Sequence, residues 1–301
     1  MRRNTKGAAQ GADPAKDKFV LRKNTGQAHG RRRGFLLERL RAGLKPFRLY
    51  WFPTVGSTSN QAALLRRDGK LFAPAVVLTG RQTSGRGRGS NTWWSDAAGG
   101  GLTVTFALPI QEILAPQELP LIAGLAVREA AVELTGNPQI LLKWPNDLLF
   151  EGQKLAGLLC ERVNSIDLVG VGLNVNVDPA NAPIPLQGQV TSLLCIGGKE
   201  LDMTDTLIAV ARHLNHSIRL RMQQPFSTFV RQYQEHDALA GKNVRIQAAG
   251  EESPISGRCE GIDSAGRLLV RTRESRGDRS ALRKIVAGHV MLEPAGWARG
   301  G

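Results

Sequence analysis

Three polar runs carry the residues that could do chemistry: Ser57-Thr58-Ser59, QTSGRGRGSNTWW at 82–94, and KWPND at 143–147 followed by KLAG at 154–157. The second run lies within Gly80–Leu102, where seven glycines, three arginines and two tryptophans separate two apolar runs that read as strands. Glycine lets a backbone approach a ligand closely, and arginine offers a planar, permanently charged fork that matches phosphate or carboxylate. The stretch reads as an anion clamp. Alone it leaves the anion open, because Gly/Arg mixtures also serve disordered nucleic-acid-binding segments. It is not a dinucleotide fingerprint, since no helix begins directly after it and its spacing differs. His213 and His216 lie i, i+3 on a predicted helix without an acidic neighbour in sequence, so they read as a solvated or packed pair and no metal site is expected.

The elements that must position these runs follow from periodicity. Residues 1–33 carry almost no large apolar side chains and read as disordered, and Phe35–Leu44 as a short helix. Phe47–Phe52 and Val76–Leu78 read as strands, with Ser57–Ser59 as N-cap candidates for the helix between them. Leu102–Leu108 leaves the glycine-rich stretch as a further strand, and Gln117–Leu134 is helical. Ile140–Lys143 and Lys154–Val163 read as strands, with a Pro-Asn-Asp turn and a Glu-Gly hairpin between them, followed by a strand at Asp167–Val177. Loop, with a short TSLL segment, fills 178–200, and helices follow at Thr204–Met222 and Pro225–Leu239. After Gly241 come five short β-like runs, which suggest a small antiparallel barrel. The fold class is α+β, a mixed β-sheet covered by helices. The expected organisation is a basic, mostly disordered tail (1–45), a catalytic domain (46–240), the barrel (241–296) and a short tail (297–301).

Composition narrows the function classes. The formal charge is +14, yet residues 1–45 hold 13 Lys/Arg against three Asp/Glu, leaving a nearly balanced remainder of 27 against 23. The basicity belongs to a tail rather than to a domain. Cys160, Cys195 and Cys259 are far apart and form no CxxC pair, which argues against a disulfide framework or a zinc site. No stretch approaches a membrane span and no secretory signal is evident, so a cytoplasmic home and no membrane association are expected.

Taken together, GRGR, KWPND, KLAG and the GxGxN strand at Gly170–Asn174, in that order, resemble the biotin protein ligases over about residues 47–296. The resemblance implies a class II synthetase-like catalytic domain with an SH3-like C-terminal barrel. It implies a biotin–[acetyl-CoA-carboxylase] ligase that uses ATP and biotin as substrates, with Mg²⁺ on the nucleotide, and forms biotinyl-5′-AMP. A lysine of a biotin carboxyl carrier domain then receives the biotin. Carried over by position, Ser57, Thr58, Ser59, Gln82, Arg86, Gly87, Arg88 and Lys154 would bind biotin. Arg88, Trp93, Lys143, Asn146 and Asn174 would bind ATP or the adenylate, with Trp93 stacking on adenine. Arg88 would hold phosphate oxygens, Lys154 would bridge carboxylate and α-phosphate, and Asp147 would orient Lys154 and serve the acceptor amine as base. The family's STN triplet stands here as Ser57-Thr58-Ser59, which puts one hydrogen bond to the ureido ring in question.

Other readings stay open at this level. Asp147 after Pro145-Asn146 is also ordinary turn chemistry. A lipoate or other acyl ligase acting on a carrier domain shares the fold, and a nucleic-acid-binding protein would use the basic tail and the Gly/Arg loop. About 45 residues precede the matching region without a three-helix pattern, so no sequence-specific DNA binding is expected. Monomer and homodimer are both left open. The glycine-rich loop is expected to be mobile when empty and to close over the adenylate.

Overall fold

The computed structural model describes residues 34–96, 99–163, 165–273 and 280–292. The expected disorder of 1–33 and the tail at 297–301 lie outside the described residues. The first half of the chain runs α1 (Leu37–Gly43), β1 (Arg48–Val55), α2 (Thr58–Arg67), β2 (Ala75–Gln82), β3 (Gly85–Arg86), β4 (Thr92–Trp93), β5 (Gly101–Pro109) and α3 (Leu119–Thr135). Then come β6 (Leu141–Lys143), β7 (Asp147–Phe150), β8 (Gln153–Val163), β9 (Ile166–Asn174), α4 (Leu193–Gly197), α5 (Met203–Gln223) and α6 (Phe226–Glu235). The last described elements are β10 (Asn243–Ala248), β11 (Ile255–Ile262), β12 (Leu268–Arg273), β13 (Ser280–Ile285) and β14 (Gly288–Leu292).

β1 and β2 pair in parallel, and the remaining neighbours of a seven-stranded sheet ordered β1-β2-β5-β9-β8-β7-β6 are antiparallel. The period-two alternation of a strand sends successive side chains to opposite faces. On β9, Val169, Val171 and Leu173 enter the main core beneath α3 and α5, while Ile166 and Leu168 join a smaller core under α2. The same face then continues as Gly170 and Gly172, which lack side chains, with Ser59 of α2 against the first and the Trp93 indole against the second. β5 repeats the pattern, with Leu102, Val104 and Phe106 in the main core and Thr103 and Thr105 on the other side near Ala107. An open floor is therefore left on one half of one face.

The last five strands form an antiparallel sheet ordered β13-β12-β11-β10-β14, with a register shift between Cys259 and Ile262. It is joined to the large sheet by one continuous core that includes Trp144, Tyr233, Val244 and Val290. Trp144 Nε1 donates to Gly266 O at 3.0 Å, and the chain after α6 pairs with β6 through Leu142 N to His236 O and Ala238 N to Leu142 O, both 2.8 Å. The expected mixed sheet with helices and a small antiparallel unit is what forms. Local readings change in several places, and the 178–200 stretch read as loop contains the helix α4. Asp147 opens a strand, β7, instead of closing a turn, because residues 147–150 pair on both sides with β6 and β8. The glycine-rich stretch contains the β3–β4 hairpin, and β9 ends at Asn174 rather than at Val177.

Candidate active site

One end of the site starts from the cap of α2. Ser57 Oγ accepts from Asn60 N at 3.4 Å, which makes it the N-cap and fixes the backbone of the triplet. Thr58 N and Thr58 Oγ1 both donate to Gln82 Oε1, at 3.0 and 3.4 Å. Thr105 Oγ1 donates to Thr58 Oγ1 at 2.9 Å, and Ser59 Oγ lies 3.2 Å from Thr105 Oγ1. A hydroxyl carries one proton, so Ser59 is the donor to Thr105 and the chain of bonds runs one way, Ser59 to Thr105 to Thr58 to Gln82. Ser59 Oγ keeps its accepting lone pairs and Gln82 Nε2 its hydrogens, both at the cavity wall. This end is polar and uncharged.

The other end is cationic. Lys154 Nζ meets Asp147 Oδ1 at 2.7 Å across the β7–β8 pair, and it lies 5.8 Å from the Trp93 ring centroid. Burial holds Lys143 below the usual lysine range, opposed by Asp147 and reinforced by Lys154. Arg88 is likewise lowered by burial, with Asp147 opposing, and its guanidinium donates to Gly288 O. His289, next in β14, is pushed below the ordinary histidine value by burial and by Lys143, Arg88 and Lys154, with Asp147 opposing. Asn146 Nδ2 donates to Leu158 O and anchors the turn into β7.

Between the two ends lies Trp93. A side chain at Gly172 would collide with its indole, since an added Cβ would stand 2.6 Å from Cζ2, and one at Gly157 would be 3.1 Å from Cζ3. The glycines of KLAG and of the GxGxN strand are thus the slot that seats the tryptophan. Arg86 is held at the rim by a two-pronged pair with Glu161, at 2.7 and 3.1 Å, and by Asn60 Oδ1 at 2.8 Å. It ties the β3–β4 hairpin to α2 and β8.

These groups surround a cavity of about 1090 Å³, at the upper end of small-molecule sites and large enough for two substrates side by side. Of the residues expected from sequence, Ser57, Thr58, Ser59, Gln82, Arg86, Gly87, Arg88, Trp93, Lys143, Asn146, Asp147 and Lys154 all line it. Asn174 does not. It is 4% exposed, and its amide donates to Thr191 O at 2.9 Å, so it secures the segment that pairs with Lys154 rather than facing the cavity. Sequence reasoning missed Thr105, Gly288 and His289. The Thr103/Thr105 alternation on an otherwise apolar strand was the available signal for the first; nothing local marked the other two. His213 has an acidic neighbour after all, Glu133 of α3 at 2.8 Å, but Arg212 holds the same carboxylate. Among the described residues no group of three His, Cys, Asp or Glu could hold a metal ion, and no helix is long and apolar enough to cross a membrane.

Both parts of the chain are similar to known proteins. Residues 51–178 match the model of the biotin/lipoate A/B protein ligase family, and residues 240–292 that of the biotin protein ligase C-terminal domain. The biotin–[acetyl-CoA-carboxylase] ligase of Mycobacterium tuberculosis is 30% identical over 221 residues, 71% of this chain and 80% of that protein. The bifunctional ligase/repressor BirA of Bacillus subtilis is 30% identical over 226 residues, but this match spans only 66% of its length. The biotin protein ligase from Aquifex aeolicus, solved in complex with biotin and ATP, superposes with a TM-score of 0.71 at 29% identity, covering 82% of this chain and 98% of that one. With the ordered motifs converging on one cavity and both parts of the chain matched, this chain belongs to the biotin protein ligase family.

Proposed function

We propose that this chain attaches biotin to a lysine of a biotin carboxyl carrier domain through biotinyl-5′-AMP. The observation that carries the reading is a single cavity with an uncharged hydrogen-bonding end and a cationic end built on the Lys154–Asp147 pair. Joining a carboxylate to a triphosphate brings like charges together. At ~4 Å two unit charges repel by about 1 kcal/mol in water and about 4 at an effective dielectric near 20, so a closed site needs cations there. Lys154 lies between biotin's carboxylate and the α-phosphate, Arg88 and Lys143 take phosphate oxygens, and Asp147 holds Lys154 in place. The carboxylate oxygen attacks the α-phosphorus and pyrophosphate leaves. Asn146 shapes the nucleotide side, Trp93 offers its indole to adenine, and Asn174 supports Lys154 from behind.

At the neutral end the one-way chain of bonds presents an acceptor at Ser59 and a donor at Gln82, complementary to the N–H and C=O groups of a ureido ring. The short Ser59 therefore keeps a role in recognition, through Thr105. Mg²⁺ arrives as part of the nucleotide substrate, since Asp147 is the single carboxylate among the described cavity residues and Lys154 already engages it. The partner is the carrier domain of a biotin-dependent carboxylase.

The test is incubation with biotin, ATP, Mg²⁺ and a carrier domain, followed by mass spectrometry of the carrier lysine. A biotin adduct on that lysine, absent without ATP, is expected. Transfer of lipoate in preference to biotin would overturn the assignment in favour of an acyl ligase of the same fold.

A further inference from the structure

We propose that His289 is the base that takes the proton from the carrier lysine when the adenylate is transferred. The proposal rests on the ligase reading above and concerns its second step only. An ammonium group has no lone pair, so the incoming lysine must lose a proton before its nitrogen can attack. The titratable side chains among the described lining residues are Arg86, Arg88, Lys143, Asp147, Lys154 and His289. The two arginines and two lysines are cations that have no acceptor, and Asp147 is bound to Lys154 at 2.7 Å. His289 is the remaining group with a basic nitrogen to offer.

Its place in the fold suits that role. It lies on β14, an edge of the five-stranded sheet, and is solvent-exposed while lining the cavity, so it stands at the opening through which a macromolecular lysine must reach. Its neighbour Gly288 is the residue on which Arg88 closes, which ties β14 to the phosphate end. The charged groups that act on it are Lys143 of β6, Asp147 of β7, Lys154 of β8 and Arg88 after β3, while its partner across β10 is the uncharged Gln247. Burial first, and then the surrounding cations, hold the imidazole below the ordinary histidine value, and those cations disfavour the ammonium form of an arriving lysine as well. In the step, one lysine proton passes to an imidazole nitrogen and the amine attacks the acyl carbon. The C–N bond forms and the acyl C–O bond breaks. AMP leaves with that electron pair, and the second amine proton goes to water.

The experiment starts from synthetic biotinyl-5′-adenylate, which bypasses the first step, and measures single-turnover transfer to a carrier domain between pH 5 and 9. For the parent, the rate should fall below the imidazole's pKa and be level above it, because the base and the ammonium then coexist. For His289→Gln, transfer should be slower by about 10²-fold near neutral pH, the low end of general-base effects, and should rise tenfold per pH unit toward the lysine pKa. Added imidazole should restore part of the rate to His289→Ala. An unchanged rate and profile in His289→Gln would overturn the proposal. So would a slowed variant that keeps the parent's plateau and is not rescued, because that pattern marks a merely structural role. If the parent itself fails to transfer from the adenylate, the ligase reading fails instead.

Discussion

At one end of the cavity Ser59, Thr105, Thr58 and Gln82 form a neutral chain of hydrogen bonds, whereas at the other Lys143, Lys154 and Arg88 crowd around the single carboxylate of Asp147. The neutral end uses residues close in sequence, from the start of α2, the end of β2 and the middle of β5. The cationic end gathers β6, β7, β8, the loop after β3 and, from about 140 residues downstream of β7 (147 against 288), β14. Recognition can be built from ordinary unpaired donors and acceptors, each worth about 1 kcal/mol net. Moving charge onto charge needs prepositioned cations in a partly dry site, where each one matters far more.

This contrast predicts a ranking of losses. Lys154→Gln should slow adenylate formation, read as pyrophosphate release, by about 10²–10³-fold, the range for removing a prepositioned charge partner. A loss below tenfold would show that the Lys154–Asp147 pair is scaffolding. Arg88→Gly comes next. It removes both a phosphate cation and the contact with Gly288, so adenylate should still form but leak, labelling bystander lysines of unrelated proteins. Adenylate retained as tightly as in the parent would mean that Arg88 does not hold the loop closed.

At the neutral end the effect should be smaller and of a different kind. Thr105→Val keeps the shape but leaves Ser59 without its acceptor and Thr58 without its donor, so the KM for biotin should rise roughly tenfold with kcat nearly constant. Thr105→Ser should restore it. Equal losses in kcat and KM for both variants would argue that Thr105 serves packing alone.

The smallest effect lies outside both ends. Asp237, bridged to Leu142 of β6, is pushed up to about 6 by burial, and its Oδ2 is buried with no hydrogen-bond partner among the described residues. A carboxyl whose folded value exceeds its unfolded value near 4 binds more protons when folded, so its contribution to stability is full below about pH 4 and is lost as pH rises through about 6. Asp237→Asn should therefore raise Tm by a few degrees at pH 8, with the gain vanishing near pH 4. The same gain at both pH values would assign the effect to packing instead of charge.

Much of the site was legible because each motif is a continuous segment whose chemistry survives in one dimension. GRGR, KWPND and KLAG announced cations and close backbone approach, and a serine before an apolar helical run announced a cap. The face alternation of β5 and β9 announced a two-sided sheet, though not which half α2 would leave open. Asn174 was expected in the site only through the GxGxN resemblance, and its amide is engaged by Thr191, on a loop that sequence could not bring near. Trp144 would have passed for part of the chemistry of KWPND, yet it is 2% exposed and bonds Gly266 on the small sheet.

Sequence by itself determined the kinds of group available, their local order, the fold class and the presence of a small β unit after Gly241. These follow from period, capping and turn chemistry, which act over a few residues. Only the tertiary structure decided that Trp93 lies in a glycine slot, that Arg86 pairs with Glu161, that Thr105 aligns the hydroxyls, and that Gly288 and His289 complete the cationic end. Each of those brings together elements distant in sequence, and the last also needs two sheets sharing one core, so no local rule states which strand will supply the missing wall.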